Sequence, residues 1–432
     1  MPFETGTTAP KRIAVIGAGI SGMGAAHMLA QSHTVVLYEA EPMIGGHART
    51  RLGGQNRDQP VDTGFIVFNY ANYPHLAALF AELGVPVVKS NMSFGASIDG
   101  GRLEYGLAGL GALFAQKKNA LDPRFLRMVR DILHFNKNAL SVAQDRSLTI
   151  RDFLAKLGTG PFFRDYYLLP LTGAIWSTPT EQIMEFPAHA MMQFMENHAL
   201  LSVTGQHQWY TVDGGSIEYV RRLEAAMIAR GVDIRCSTPV QEITRNPSGV
   251  LVKTFGAEAE PFDEVIFATH SDDSLRMLGD ATVEEQAALG AVKYQPNDVV
   301  FHSDAGIMPK RKQVWSSWMY TEAGEKTTGQ IDLTYWMNSL QPSLVKDDFF
   351  VTLNSTRPIQ EDLIWDQVTL RHPVYDLGAL AAQQQVVEMN GQNRTWFCGA
   401  WMKNGFHEDG LSSAVDVVEG INLAASMAVA AQ

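Results

Sequence analysis

The chain is poor in cysteine, in long apolar runs and in positive charge. Cys236 and Cys398 are its two cysteines in 432 residues, and they form no Cys-x-x-Cys pair. We therefore expect free buried thiols, with no disulfide framework and no metal site. The apolar runs fall short of the roughly 18 residues that a membrane-spanning helix needs. The N-terminal residues MPFETGTTAPKR lack the apolar core of a signal peptide, so we expect a cytoplasmic protein.

Acidic residues outnumber basic ones. There are 34 lysines and arginines against 46 aspartates and glutamates, which gives a formal net charge of −12. This balance argues against nucleic acid as the main partner. The remaining composition, 46% hydrophobic and 19% charged, is typical of a water-soluble globular protein. The length exceeds the size at which single cores stop growing, so we expect about two to three domains.

The segment from residue 11 to residue 41 has the pattern of a strand, a glycine turn, a helix and a second strand that ends on an acid. Gly17, Gly19 and Gly22 follow the first strand in the G-x-G-x-x-G spacing. The first glycine permits a tight turn, the second lets backbone approach a pyrophosphate, and the third lets the helix pack on the strand. Glu39 ends the second strand, where its carboxylate can accept hydrogen bonds from an adenosine ribose. The alternative is an ordinary βαβ unit with glycine turns.

A second glycine-rich segment favours FAD over NAD. Gly45 and Gly46 lie just beyond the second strand, and Thr63 and Gly64 follow in the run PVDTGFIVFN. A simple nicotinamide-binding domain does not require this doublet, whereas an extended flavin needs close backbone approach at its ribityl and ring end. Arg49 could reach a phosphate as a charge-assisted donor. The alternative is a plain turn before the next strand.

These motifs resemble the flavin-dependent amine oxidase, protoporphyrinogen oxidase and phytoene desaturase superfamily over nearly the whole chain. The resemblance implies an α/β fold with a glutathione-reductase-like FAD domain built from residues 1–86, 206–275 and 385–432. It also implies an α+β substrate domain built from residues 87–205, mostly helical, and 276–384, mostly antiparallel sheet. The cofactor would be non-covalent FAD, because Cys398 ends an apolar strand and is better explained as a packed thiol than as a flavin link.

The resemblance also places later segments against the cofactor. Val240 would give backbone hydrogen bonds to the adenine, and Ala268 would lie over the dinucleotide. The terminal helix, expected to start near Gly410, would direct its N-terminal amides at the flavin. In the superfamily an arginine commonly follows the glycine doublet and an acid follows Gly399, but here these positions are His47 and Ala400. The full set of predicted cofactor-binding residues is Gly17, Gly19, Ile20, Ser21, Gly22, Glu39, Ala40, Gly45, Gly46, His47, Ala48, Arg49, Thr63, Gly64, Phe65, Val240, Ala268, Gly399, Ala400, Asp409, Gly410 and Leu411.

The run GFHEDGLSSA narrows the resemblance to bacterial flavoproteins associated with cyclopropane fatty acid synthases. That likeness implies a lipid or fatty acyl substrate, a link to furan fatty acid biosynthesis and a functional link to a fatty acyl methyltransferase. Residues 113–137 mix apolar side chains with lysines and arginines, a composition that could dock on anionic lipid. A core-packing helix with a solvated basic face explains the same pattern.

For catalysis, the flavin would take a hydride and a nearby base would remove a proton. His407 and Glu408 are the candidates, because an imidazole titrates near neutrality and burial beside the flavin could raise the pKa of a carboxylate. Both could instead brace the turn or bind the ribityl chain. We expect an FAD-dependent oxidoreductase that desaturates or oxidises a modified acyl chain. The alternatives are an amine or protoporphyrinogen oxidase, and a non-catalytic flavoprotein that presents lipid to a methyltransferase.

Overall fold

The structure is a computed structural model that describes residues 10–176, 180–202, 205–322 and 332–430. In these ranges the strands are β1 (Arg12–Ile16), β2 (Thr34–Tyr38), β3 (Thr50–Gly53), β4 (Gln59–Asp62), β5 (Val67–Phe68), β6 (Val87–Ser90), β7 (Phe94–Ile98), β8 (Leu103–Gly106), β9 (Trp209–Val212), β10 (Asp233–Arg235), β11 (Val240–Asn246), β12 (Gly249–Thr254), β13 (Glu260–Phe262), β14 (Glu264–Phe267), β15 (Lys293–His302), β16 (Trp318–Thr321), β17 (Asp332–Trp336), β18 (Phe350–Leu353), β19 (Ile364–Val374) and β20 (Thr395–Phe397). The helices are α1 (Ile20–Leu29), α2 (Pro74–Glu82), α3 (Leu110–Leu113), α4 (Pro123–Val142), α5 (Ile150–Leu157), α6 (Pro161–Phe163), α7 (Leu169–Trp176), α8 (Thr180–Ile183), α9 (Ala188–Asn197), α10 (Ile217–Ala229), α11 (Ser271–Met277), α12 (Val283–Ala291), α13 (Met337–Leu340), α14 (Leu377–Met389) and α15 (His407–Ala430).

A five-stranded parallel sheet organises the cofactor end of the molecule. Its strand order is β10-β2-β1-β14-β20. The apolar, β-branched residues of β1 and β2 are buried, as strands covered on both faces must be. The chain adds β2 and β10 on one side of β1 and later adds β14 and β20 on the other side, so the strand order reverses at β1. The carboxyl end of β1 is therefore a switch point, where this kind of sheet binds ligands.

Two separate apolar cores cover the parallel sheet. On one face, Ala25 of α1, Leu223 of α10 and Ala414 of α15 pack with the strands. On the other face, Leu289 of α12 and Val386 of α14 pack with the small antiparallel sheet β11-β12-β13. The sheet is thus a middle layer, and the mixed α/β fold expected from the sequence is confirmed.

A seven-stranded sheet forms the second large layer, in the order β19-β15-β18-β17-β16-β7-β8. Both chain segments expected in the substrate domain contribute, since β7 and β8 come from the first and the other strands from the second. Neighbouring strands run antiparallel with one exception, the parallel pair of β16 and β7. The antiparallel sheet expected for residues 276–384 is therefore confirmed, and the parallel pair lies where the two segments join.

A group of helices from α4 to α9 covers one side of this sheet. Asp122 accepts a hydrogen bond from the backbone N–H of Arg124 and so caps α4, which begins at Pro123. The inner face of α4 carries Phe125, Met128 and Phe135, all fully buried in the largest core of the protein. No helix in the described ranges is long and apolar enough to cross a membrane.

The element bounds follow the sequence pattern closely in two places and differ in a third. The hydrophobic pattern predicts a helix from about Ile217 to Ala229, and α10 has these bounds. It also predicts a strand near Asp233 to Cys236, and β10 ends one residue before Cys236. The terminal helix begins at His407 instead of near Gly410, because the Gly410 N–H bonds to the Phe406 carbonyl and extends the first turn. The division into two domains stays a prediction, and residues 1–9 of its first segment lie outside the described residues. In the structure, α12 and the whole of α14 pack with the parallel sheet.

Candidate cofactor and substrate site

In the glycine turn after β1, Gly17 and Gly22 are in close contact with neighbouring backbone, whereas Gly19 faces open space. Gly17 has a φ of +95°, and its N–H bonds to the Tyr38 carbonyl at 2.8 Å. A Cβ on Gly22 would stand 1.8 Å from the Gly17 carbonyl oxygen, so helix and turn touch there. A Cβ on Gly19 would meet nothing within 4 Å. The open position is the one where the motif brings a pyrophosphate against helix N-terminal amides.

Glu39 closes this turn from the end of β2. Its carboxylate accepts hydrogen bonds from the backbone N–H groups of Ala18 at 2.7 Å and Glu41 at 3.0 Å. The side chain is half-buried and lines the cavity. Two backbone donors thus hold the carboxylate at the place expected for ribose recognition.

The second glycine segment wraps against the first. Gly45 and Gly46 have φ values of +126° and +57°, and a Cβ on Gly46 would lie 3.0 Å from the Gly19 Cα. A Cβ on Gly64 would lie 2.0 Å from the His47 carbonyl oxygen. These positions need glycine because two backbone segments meet with no room for a side chain.

Arg49 does not present a free charge to the cavity. Its guanidinium binds Asp366 of β19 and the Thr63 hydroxyl, the latter at 2.9 Å. It therefore ties the second glycine segment to the seven-stranded sheet. The expectation that Arg49 replaces the usual arginine as a phosphate ligand stays a prediction, and its charge is already paired in this structure.

Three histidines from separate segments meet along the same cavity wall. The His47 ring centre lies 6.2 Å from that of His270 and 5.7 Å from that of His372. Burial lowers the pKa of all three, that of His270 to about 4 and that of His372 to about 3. They are neutral at physiological pH. His47 Nε2 is buried without a hydrogen-bond partner among the described residues.

The turn before α15 closes the other end of the cofactor region. The Gly399 N–H donates to the Ser413 hydroxyl at 2.9 Å, which fixes the end of β20 against α15. Asp409 accepts hydrogen bonds from the backbone N–H groups of Asn404 at 3.2 Å and Phe406 at 2.9 Å. Burial raises the pKa of Asp409 to about 6. Asp409 therefore shapes the turn and does not line the cavity.

His407 lines the cavity but is not a base near neutral pH. Its ring stacks on Phe65 with 4.0 Å between ring centres, and Nε2 lies 2.6 Å from the Tyr219 hydroxyl. Burial lowers its pKa to about 3, and the nearby His47 adds to this effect. Burial also raises the pKa of Tyr219 well above its usual value. The phenol therefore stays protonated and donates to Nε2, which leaves Nδ1–H as a donor. The expectation that His407 titrates near neutrality is wrong because the ring is desolvated.

Glu408 is turned away from the cavity. Its carboxylate accepts hydrogen bonds from the backbone N–H groups of His75 and Leu76, both at 2.9 Å, and lies 2.7 Å from His75 Nδ1. These amides belong to the first turn of α2, where unpaired donors need an acceptor. The carboxylate thus caps a neighbouring helix, which supports the bracing role that the sequence left open, and a catalytic role for Glu408 stays a prediction.

The remaining predicted residues divide into those that line the cavity and those that support it. Cavity-lining positions are Gly17, Gly19, Ile20, Ser21, Glu39, Gly46, His47, Ala48, Arg49, Thr63, Gly64, Phe65, Ala268, Gly399, Ala400 and His407. The others do not line it, and the adenine contact expected at Val240 stays a prediction. They are Gly22, Ala40, Gly45, Val240, Glu408, Asp409, Gly410 and Leu411.

Several site residues were missed by sequence reasoning. His270 follows the predicted Ala268 by two residues, so the segment was found but not the imidazole. His372 and Tyr219 carry no local signal, because they lie within an ordinary strand and helix. Asp62 precedes the predicted Thr63 and does not itself line the cavity, but it is fully buried and accepts hydrogen bonds from Thr50, Ser216 and Gln341. Burial raises the pKa of Asp62 to about 6.

The cavity has a volume of about 2260 Å³ and extends from the glycine turn into the second layer. Its charged lining residues belong to the segments 39–58, 218–221, 273 and 371. Among the described residues, the lining between 91 and 209 and between 299 and 370 contains no lysine, arginine, aspartate or glutamate. We call this uncharged part the inner chamber. Its walls include Phe94, Ile132, Leu171, Ile175, Phe194 and Leu353.

The sequence offers Trp315, Trp318, Tyr335 and Trp336 either as the lining of an apolar substrate cavity or as simple core. In the structure Trp318 and Tyr335 line the chamber. Trp315 and Trp336 instead pack against each other, with 5.4 Å between ring centres. The Trp315 indole donates to the Pro309 carbonyl at 2.7 Å. These two tryptophans thus pack against the small core around Phe350 and do not line the chamber.

The residues present fit an extended dinucleotide. Gly19 leaves room for a phosphate, Glu39 is held at the ribose position, and His47 Nε2 needs a partner. Cys398 is buried, does not line the cavity, and its thiol pKa is raised to about 12 by burial. A thiolate for a covalent link is therefore disfavoured. Fold and site together define a dinucleotide-binding protein of the flavin-dependent class.

Comparison with known proteins gives the family. Residues 20–341 match the profile of the flavin containing amine oxidoreductases, which covers well over half of the chain. The chain belongs to this family, whose members are flavin-dependent oxidoreductases, and its cofactor is FAD.

Curated relatives match over a short stretch. An L-amino-acid oxidase from Sistrurus catenatus edwardsii is 47% identical over 47 residues, which is 11% of this chain and 9% of that protein. An L-amino acid oxidase from Cerastes cerastes is 47% identical over 50 residues, covering 11% and 10% of the two chains. The chain thus matches about a tenth of the length of these relatives.

Solved structures are similar over nearly the full length, at identities that establish the fold alone. A cyclohexylamine oxidase from Brevibacterium oxydans IH-35A has a TM-score of 0.69 and 16% identity, with 96% of this chain and 100% of that chain covered. A protein described as a putative protoporphyrinogen oxidase from Exiguobacterium sp. 255-15 has a TM-score of 0.68 and 17% identity, covering 96% and 99%. A CLA-producing fatty acid isomerase from P. acnes has a TM-score of 0.66 and 16% identity, with the same coverage.

Proposed function

We propose that this protein is an FAD-dependent oxidoreductase that oxidises or desaturates a lipid-like substrate, namely a methylated or otherwise modified fatty acyl chain. The observation that carries the proposal is the uncharged inner chamber, whose described lining contains no ionised side chain. A long apolar chain is stabilised by such walls, since burial contributes about 25 cal/mol for each Å² of apolar surface. A charged group placed there would lose its hydration without compensation.

The proposed chemistry needs a dry chamber next to the flavin. When bound, FAD supplies the two-electron acceptor for the oxidation. The chamber walls exclude water and align the acyl C–H bonds with the cofactor end, where Phe65 and His407 stack. The neutral His407 ring, held by Tyr219, offers a hydrogen-bond donor at fixed orientation and adds no charge.

Amine oxidation is the second candidate, and the family match favours it. An amine would enter the chamber as the neutral base, because its described lining lacks a carboxylate to pair with an ammonium ion. The cyclohexylamine oxidase shares the fold, but so does the fatty acid isomerase. The fold therefore fits both substrate classes, and the uncharged lining of the inner chamber favours the acyl chain.

Anaerobic flavin reduction tests the choice directly. The holoenzyme is mixed with a detergent-dispersed phospholipid that carries a methylated acyl chain, and in parallel with cyclohexylamine and putrescine. Bleaching of the flavin by the lipid and not by the amines is the expected result. Bleaching by an amine alone would overturn the acyl assignment. An oxidised flavin that persists while lipid remains bound would instead favour a non-catalytic partner of a methyltransferase.

A further inference from the structure

Helix α4 carries a second apolar stripe, made of exposed side chains, beside its buried face. Leu126, Leu133 and Leu140 follow one another at seven-residue spacing, which places them on one side of an α-helix. Their side chains are 45%, 55% and 37% exposed. Three large leucines in a row on an exposed helix face are unusual for a water-soluble surface.

Cations alternate with these leucines. Arg130 and Lys137 each follow a leucine of the stripe by four residues, so they share its face. Both are exposed, as are Lys117 and Lys118 just before the helix. Lys117, Lys118 and Lys137 form no ion pair with any residue that the structure describes. On a chain of net charge −12, this face is a local basic and apolar exception.

The same face opens into the inner chamber. Leu133 is half-exposed and also lines the cavity, together with Val129 and Ile132 from the same helix. Leu110 of α3 is 76% exposed and lines the cavity as well. The apolar stripe is therefore continuous with the chamber wall, and a chain entering here passes no charged side chain of that wall.

We call this surface the α3–α4 face; its residues are Leu110, Lys117, Lys118, Leu126, Arg130, Leu133, Lys137 and Leu140. We propose that the α3–α4 face docks on an anionic phospholipid bilayer and that the acyl chain enters the chamber from the bilayer, tail first. This inference rests on the proposed function. The headgroup stays outside, against the lysines and arginines, because the described chamber lining offers no cation to neutralise a carboxylate. The substrate is thus the acyl chain of a membrane phospholipid, and a free fatty acid would leave its charged end at the same surface.

The interleaved cations favour a bilayer over a second copy of the chain. Leucines at heptad spacing can also pair two helices. In a two-fold interface, however, Arg130 and Lys137 would face the same cations of the partner at short range. Like charges there are destabilising, whereas an anionic surface attracts each lysine or arginine with about 1 kcal/mol.

Vesicle flotation of the holoenzyme tests the docking without any turnover. Wild type should float with vesicles of phosphatidylglycerol and phosphatidylcholine, and should not float with phosphatidylcholine alone. Leu126→Gln/Leu133→Gln and Arg130→Glu/Lys137→Glu should each weaken the binding by on the order of tenfold or more. Bound FAD per polypeptide should stay unchanged, which shows that the variants fold.

Matched control variants carry the same types of substitution at exposed positions outside the α3–α4 face. Leu423→Gln/Met427→Gln alters two apolar residues of α15 that are 62% and 66% exposed. Lys89→Glu/Lys293→Glu reverses two exposed charges on strands. These variants should bind vesicles as wild type does. Equal loss in the controls, or no flotation of wild type, would overturn the proposal. A wild-type dimer in sedimentation that the leucine variant dissociates, without vesicle binding, would assign the stripe to a second copy.

The two proposals fail in different ways. If phospholipid in detergent reduces the flavin but vesicles are not bound, the docking face is wrong and the function stands. If vesicles are bound with the expected variant pattern but no acyl lipid reduces the flavin, the substrate assignment is wrong and the docking face stands.

Discussion

The two ends of the cavity are built in different ways. At the cofactor end, backbone segments such as Gly19 and Gly46 approach each other so closely that single Cβ atoms decide the geometry. In the inner chamber, side chains from distant segments, such as Ile132 and Leu353, form a broad apolar wall. The first end selects a cofactor by close backbone fit, and the second accepts a class of substrates by polarity and volume. We therefore expect substitutions at the first end to affect cofactor binding sharply and those at the second to affect turnover.

The largest effect is expected from Gly22→Ala compared with Gly19→Ala. A Cβ on Gly22 would stand 1.8 Å from the Gly17 carbonyl oxygen, so the turn must break. Purified Gly22→Ala should lack FAD or fail to fold. Gly19→Ala should fold, because its Cβ meets nothing within 4 Å, and it should weaken FAD binding by crowding the phosphate. Flavin absorbance per polypeptide and circular dichroism measure both. Equal flavin content in the two variants would contradict the assigned geometry.

A bulky residue in the chamber should stop turnover and spare the cofactor. Ile175→Trp fills space next to Leu171, and a displaced acyl chain should lower the rate of anaerobic flavin reduction roughly a hundredfold. Bound FAD should remain at the wild-type level. Leu423→Trp on the exposed side of α15 is the matched control. Unchanged reduction kinetics in Ile175→Trp would remove the chamber from the substrate path.

The histidine cluster should make the protein sensitive to acid. Unfolded imidazoles bind protons near pH 6.5, whereas the folded-state pKa is about 4 for His270 and about 3 for His372. The unfolded state therefore binds more protons, and the free energy of unfolding falls as the pH drops from about 6.5 toward 4. Each histidine can lower the free energy of unfolding by up to about 2 kcal/mol when the pH falls from 7 to 5. Urea unfolding of the apoprotein at both pH values, for wild type, His270→Gln and His372→Gln, measures the difference. Equal acid sensitivity in all three would show that the cluster does not titrate as assigned.

The smallest effects are expected from substitutions of the neighbours His407 and Glu408, which should differ in whether they change stability or the rate of flavin reduction. Glu408→Ala removes the acceptor at the start of α2 and should cost about 1 to 2 kcal/mol of stability, with little change in the rate of flavin reduction. His407→Ala should change the reduction rate more than the stability, since it removes the ring that stacks on Phe65. Chemical denaturation and rapid-mixing kinetics give the two readouts. A large rate loss in Glu408→Ala at normal stability would support a catalytic role for it.

Local patterns predicted much of the cofactor end. The glycine spacing, Glu39 and the strand and helix order lie within about thirty residues, so short-range rules were enough. The chamber could not be found in this way. Its walls come from residues as far apart as Phe94 and Leu353, and buried apolar side chains look alike in sequence whether they line a cavity or fill a core. The surroundings of His407 and Glu408 could not be found in this way either, because adjacent residues of a helix point in different directions and the pKa of a side chain depends on its burial in the folded protein.

The sequence by itself determined the cofactor class, the βαβ start and the absence of a spanning helix in the described ranges, because backbone conformation and helix length are local properties. The tertiary structure decided which imidazoles are neutral, which carboxylates cap helices, and where an uncharged chamber meets the surface. These are decided by desolvation and by contacts between segments hundreds of residues apart, and no local pattern encodes them.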